Sequence, residues 1–129
     1  IEAVDVGTAI NPDIVRGQVE GGISMGLGQA MMEQIEIDPR AKKSSSADLL
    51  NYRIPTTLDM PEIHVYIAQG SYEPTGPFGA KSVGELPAVP VAAAIANAVS
   101  KAVDEDINEL PLSKAWMPER HFRFGEKMD

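Results

Sequence analysis

Asn11-Pro12-Asp13-Ile14-Val15-Arg16-Gly17-Gln18-Val19-Glu20-Gly21-Gly22-Ile23-Ser24-Met25-Gly26-Leu27-Gly28-Gln29-Ala30-Met31 is the longest periodic stretch of the chain, and any fold has to be built around it. Its first three residues write a helix start. Asn is a preferred N-cap, Pro fits the first helical position, and Asp suits the positive end of the helix dipole. Val15, Val19, Ile23, Leu27 and Met31 fall four apart, widened by Ala30, which is the stripe of a core-facing helix predicted to run to about Gln34. A second row is small: Gly17, Gly21, Ser24 and Gly28. Each glycine costs a helix about 1 kcal/mol relative to alanine, so this row implies close approach of something to that face.

Upstream, Ile1 to Gly7 reads as a strand from its first residue, with no initiator Met or charged leader, and the expectation is a piece of a longer polypeptide. Downstream, Ile35 to Pro39, a polar turn through Ser46, and Leu49 to Ile54 predict a loose hairpin stopped by Pro55. Glu62 to Gln69 alternates Ile63, Val65 and Ile67 against His64, Tyr66 and Ala68, the pattern of a half-buried strand. A second helix is predicted from Pro90 to about Val103, burying Val91, Ile95, Ala98 and Ala102 with Ala94 and Val99 at their flank. Asp104, Glu105 and Asp106 oppose the dipole at its end. A last short helix is predicted from Pro118. The fold class is therefore α+β, with two main helices packed on a small mixed sheet.

Composition narrows the function classes. At 129 residues the chain is about one domain by length, and 43% apolar with 23% charged residues is the balance of a globular protein. No run approaches the roughly 20 apolar residues a membrane helix needs, so no membrane is expected. A net charge of -8, with no basic cluster longer than Arg40 to Lys43, argues against nucleic acid as a partner. With no cysteine the chain offers neither a disulfide nor a thiolate ligand for zinc or an iron–sulfur cluster.

The candidate site lies in the loop from Gly70 to Pro87, which is long for a connector and rich in glycine and proline. It ends Gly79-Ala80-Lys81-Ser82-Val83-Gly84-Glu85-Leu86-Pro87. A nucleotide P-loop is excluded by Thr75 and Ala80 where glycines are required, and a dinucleotide fingerprint by Met31 and by its position inside a helix. Glu85 has two readings. It caps the helix after Pro87, or it is a general base, which needs dry neighbours that Leu86 and Val83 supply in part. Gln18 likewise is a solvated helix residue or, sharing a face with Gly22, Met25 and Gln29, an amide that reaches a ligand. His64 and His121 lack any partner at metal-ligand spacing and read as surface or strand histidines, so no protein metal ligand is expected.

Taken together and in order, Asp5-Val6-Gly7-x-x-Ile10-Asn11-Pro12, Gly17-Gln18-Val19-Glu20-Gly21-Gly22, Gly26-Leu27-Gly28, Tyr52-Arg53-Ile54-Pro55 and Gly79 to Glu85 resemble the molybdenum-binding subunit of the xanthine dehydrogenase and aldehyde oxidase family. The likeness covers roughly residues 3 to 104 and implies that residues 1–129 are the C-terminal portion of a molybdopterin-binding domain. It implies molybdenum held by molybdopterin, with Gln18 and the backbone N–H groups of Ala80, Lys81, Ser82 and Val83 binding the cofactor. Glu85 is implied as the base in hydroxylation of an aldehyde or purine-like N-heterocycle by water-derived oxygen. The remainder of the molybdenum subunit, a small-molecule substrate, and 2Fe-2S and FAD domains or subunits are implied partners, in the cytoplasm. Alone, the chain is expected to be inactive. A non-catalytic packing or assembly module of the same shape is the alternative. Leu86-Pro87 departs mildly from the family, where two small or proline residues are common.

Overall fold

A computed structural model describes residues 1–112. The expected short helix from Pro118 and His121 lie outside the described residues. Strand β1 (Glu2–Val4) leads through a turn at Gly7 into helix α1 (Pro12–Met31). A hairpin of β2 (Ile37–Asp38) and β3 (Lys43–Ser44) follows, then β4 (Val65–Ile67), the glycine-rich loop, and helix α2 (Val91–Val103). Two short 3-10 turns, Pro77–Gly79 and Leu86–Ala88, punctuate the loop. The architecture is α+β, with one parallel and one antiparallel two-stranded sheet.

Helix α1 starts where its sequence says. The Asn11 Oδ1 accepts from the N–H groups of Asp13 and Ile14, both at 3.1 Å, with Pro12 behind it. Because that oxygen satisfies two otherwise orphaned donors, Asn11→Ala is expected to lower stability by about 1 kcal/mol, read as a shifted urea midpoint. The helix stops at Met31 rather than near Gln34. The Gly28 carbonyl accepts from both Met32 and Glu33 at 2.9 and 2.8 Å, while the Tyr52 hydroxyl donates to the Glu33 carboxylate at 2.5 Å and draws the chain aside. That bond also raises the pKa of the Tyr52 phenol, since a neighbouring carboxylate disfavours the phenolate.

The core sits between α1 and the parallel pair. Val4, Val6, Val15, Val19 and Val65 are buried together, with Ile23, Ile63, Ile67 and Val83 packed around them. Each fully buried valine is worth about 1.5–3 kcal/mol of apolar transfer. The parallel register is Glu2 with Val65, Ala3 with Tyr66 and Val4 with Ile67. Val65 is buried and Ile63 and Ile67 are half-buried, whereas His64 and Tyr66 face out, the alternation expected. His64 lies on the surface 3.6 Å from Glu62.

Three expectations are corrected. The hairpin pairs Ile37–Asp38 with Lys43–Ser44, and residues 49–54 run through a turn and a bend into irregular chain instead of its return strand. The Asp38 carboxylate takes the N–H groups of Arg40 and Ala41, which closes the turn earlier than the apolar residues suggested. Helix α2 has its expected bounds but buries no residue fully: Val91, Ile95 and Val99 are half-buried, and Ala94, Ala98 and Ala102 are exposed. A groove of about 470 Å³ runs along it, lined in part by Ile23, Leu27, Val91 and Ile95. Third, Leu86 to Val103 averages a hydropathy of 1.5 over 18 residues, as apolar as a membrane span. Its α-helical part is only 13 residues, roughly 20 Å, short of a bilayer core of about 30 Å.

Candidate functional site

The loop is drawn to the end of β1 by main-chain bonds. Lys81 N donates to Val6 O at 2.8 Å and Thr8 N to Gly79 O at 2.9 Å, around an antiparallel bridge of Gly7 with Ala80. Gly7 has φ +60°, and a Cβ there would collide with the Gly79 carbonyl, so both its conformation and its contact require glycine. Side chains reinforce the join. Lys81 Nζ lies 2.5 Å from Asp5 Oδ2 and also donates to Ser71 at 2.9 Å, and Gly7 N donates to Asp5 Oδ1 at 3.0 Å.

Lys81, with the Gly7 N–H and Ser71, lowers the Asp5 carboxyl from 3.8 to about 2. A folded value below the unfolded one stabilises the fold fully above pH 3.8, and that contribution is lost as the pH falls through about 2. Asp5→Asn removes it. The stability gap between wild type and variant in urea titrations is expected to be present at neutral pH and to close between 3.8 and 2.

The far end of the loop is set by α1. Gln18 Nε2 donates to Gly84 O at 2.9 Å, across 66 residues of sequence. One turn further on, a Cβ built on Gly22 would stand 2.6 Å from Pro87 Cβ and 2.9 Å from Ala88 N, and one on Gly26 would collide with Val91. The close approach expected of the glycine row is met at Gly28, where a built Cβ would collide with Glu33 and Pro55, while the loop itself meets Gly22 and Gly26 of another row. Around Gly17 and Gly21 nothing of the described chain lies within 4 Å of a built Cβ, and that strip of α1 beside Gln18 is open.

Glu85 sits at the start of the Leu86–Ala88 turn, with φ -92° and ψ 1°, in the sparsely populated region where many active-site residues lie. Its side chain makes no capping bond, so the capping reading fails. It is exposed, as is Leu86, leaving half-buried Val83 as the dry neighbour this chain supplies. Of the four expected backbone donors, Ala80 N bonds Pro77 O at 3.0 Å and Lys81 N bonds Val6 O, so both are engaged by the fold. Among the described residues the N–H groups of Ser82, Val83, Gly84 and Glu85 have no acceptor.

Residues 1–61 match the model of a molybdopterin cofactor-binding domain. They belong to that domain family. The chain is also 42% identical over 109 residues to the putative xanthine dehydrogenase molybdenum-binding subunit XdhA of Escherichia coli, covering 84% of this chain and 14% of that protein. It is 36% identical over 107 residues to the aldehyde oxidoreductase molybdenum-binding subunit PaoC of the same organism, covering 83% and 15%. Among solved structures, quinoline 2-oxidoreductase from Pseudomonas putida 86 superposes with a TM-score of 0.81 at 33% identity, over 89% of this chain and 15% of that one. The chain thus spans about a seventh of the length of the relatives it matches.

The loop and helix α1 suit such a group on their own geometry. Four successive N–H groups without an acceptor among the described residues, an amide held beside them and a glycine strip open to the described chain provide donors and room for an oxygen-rich, anionic ligand. Sequence reasoning paired the helix motif with the loop. It did not find the N–H groups of Gly84 and Glu85, nor the Asp5–Lys81 tie. The spacing of Gln18, Gly22 and Gly26, four apart, was the available signal for which face meets the loop.

Proposed function

We propose that the chain is the C-terminal portion of the molybdopterin-binding domain of a molybdenum hydroxylase, which hydroxylates an aldehyde or N-heterocycle carbon with water-derived oxygen. The observation that carries this reading is the Gln18–Gly84 bond, which brings the helix motif and the Glu85 loop together at one place. When bound, molybdenum–molybdopterin supplies the two-electron redox chemistry. The N–H groups of Ser82 and Val83, with those of Gly84 and Glu85, hold the cofactor's oxygen atoms, and the Gln18 amide completes that edge. Gly17 and Gly21 leave room for close approach along α1.

The Glu85 carboxylate then serves as general base, taking the proton from the oxygen that enters the product. The exposure of Glu85 and Leu86 means that the remainder of the molybdenum subunit excludes water from it. Partner domains or subunits carrying 2Fe-2S and FAD accept the electrons, in the cytoplasm. Relatives bearing names such as "subunit gamma" of a 6-hydroxypseudooxynicotine dehydrogenase complex are consistent with such partners. The test is Glu85→Gln in the complete enzyme, with turnover and molybdenum content measured side by side; normal turnover removes the base role.

A further inference from the structure

Three residues of α1, spaced four apart, meet three points of the loop in the same order. Gln18 bonds Gly84, Gly22 receives Pro87, and Gly26 receives Val91. Glu85 lies between the first two contacts. The Gly22 contact is steric and limits only how near Pro87 comes. The Gln18 contact is directional, and it acts on the peptide that carries Glu85. Because a peptide is planar and trans, fixing the Gly84 C=O also fixes the Glu85 N–H antiparallel to it, and with it the base of the Glu85 side chain. Gly84 has no side chain, and a Cβ built there would meet nothing within 4 Å, so no packing substitutes for the hydrogen bond. On the other side of Glu85, Ala88 N donates to the Glu85 carbonyl at 3.0 Å.

We propose that Gln18 is the positioning residue for Glu85, acting through the Gly84 carbonyl, in addition to any contact it makes with the cofactor. This rests on the reading of Glu85 as base. The test uses the complete enzyme carrying Gln18→Ala, the near-isosteric Gln18→Glu, which loses the amide donor, and Gln18→Lys, which keeps an N–H donor. Turnover, molybdenum content and hydrogen exchange at the Ala88 amide are measured for each. The Ala and Glu variants are expected to lower kcat per bound molybdenum about 10²-fold, the scale of a small misplacement of a reacting group, with KM nearly unchanged. That loss comes on top of whatever molybdenum is lost with the Gln18 contact to the cofactor. Exchange at Ala88 is expected to quicken in both, and the Lys variant to recover kcat and slow exchange again. Wild-type kcat and exchange in the Ala and Glu variants overturn the proposal. So does loss of molybdenum with Ala88 exchange unchanged, which makes Gln18 a cofactor contact alone. Full activity of Glu85→Gln overturns the base reading instead, whatever the exchange data show.

Discussion

Replacing Glu85 by Gln in the complete enzyme is expected to lower turnover about 10²- to 10⁴-fold while molybdenum content stays at the wild-type level. The substitution keeps shape and removes only the ability to accept a proton. Nothing in the fold depends on the lost charge, because the Glu85 side chain neither caps the following turn nor takes part in an ion pair among the described residues. The donors assigned to the cofactor are main-chain N–H groups and the Gln18 amide, all of which the substitution leaves in place. Metal analysis, thermal unfolding and kcat/KM measured on one preparation therefore separate the roles. A loss of molybdenum along with activity would make Glu85 an anchor for the cofactor, and unchanged kcat/KM would leave the reaction without its base.

Alanine at two adjacent glycines of α1 is expected to act in opposite directions. Gly22→Ala puts a methyl group 2.6 Å from Pro87 Cβ and 2.9 Å from the Ala88 nitrogen, a closed ring and a backbone that cannot rotate aside. Destabilisation by about 1–3 kcal/mol follows from overpacking, and turnover falls because Pro87 carries Glu85 with it. Gly21→Ala meets nothing within 4 Å and gains helix propensity, stabilising the cofactor-free protein by about 0.5–1 kcal/mol. If the open strip of α1 receives the cofactor, the same variant holds less molybdenum although it is more stable. Urea midpoints and metal content of the two variants check both arms, and equal midpoints would show that Pro87 does not rest on Gly22.

Helix α1 was legible because a cap, a proline and an apolar row agree with one another, and β4 because alternation by two survives in Ile63, Val65 and Ile67. The site was legible as a pair of separate motifs. Their meeting was not, since a bond between Gln18 and a main-chain oxygen leaves no mark on the residue that accepts it. The choice among glycines held at Gly28 but missed Gly22 and Gly26, for a related reason. Any helix with this many glycines has several small rows, and which row is pressed depends on where Pro87 and Val91 arrive. Helix α2 shows the opposite failure: its apolar residues predicted burial that the described chain does not provide, because apolarity says that a face needs cover but not which element covers it.

The ordered contacts of Gln18, Gly22 and Gly26 with Gly84, Pro87 and Val91 make α1 a ruler for the segment that carries Glu85. A helix offers equivalent seats only about once per turn, roughly 5.4 Å apart. Adding or deleting a single residue between Gly84 and Val91 therefore cannot be absorbed by a small slide; it forfeits a seat. Length variation among natural versions of this chain should accumulate in the exposed hairpin turn and at the outer end of the loop around Glu73 to Gly76, while the count of residues from Gly84 to Val91 stays invariant.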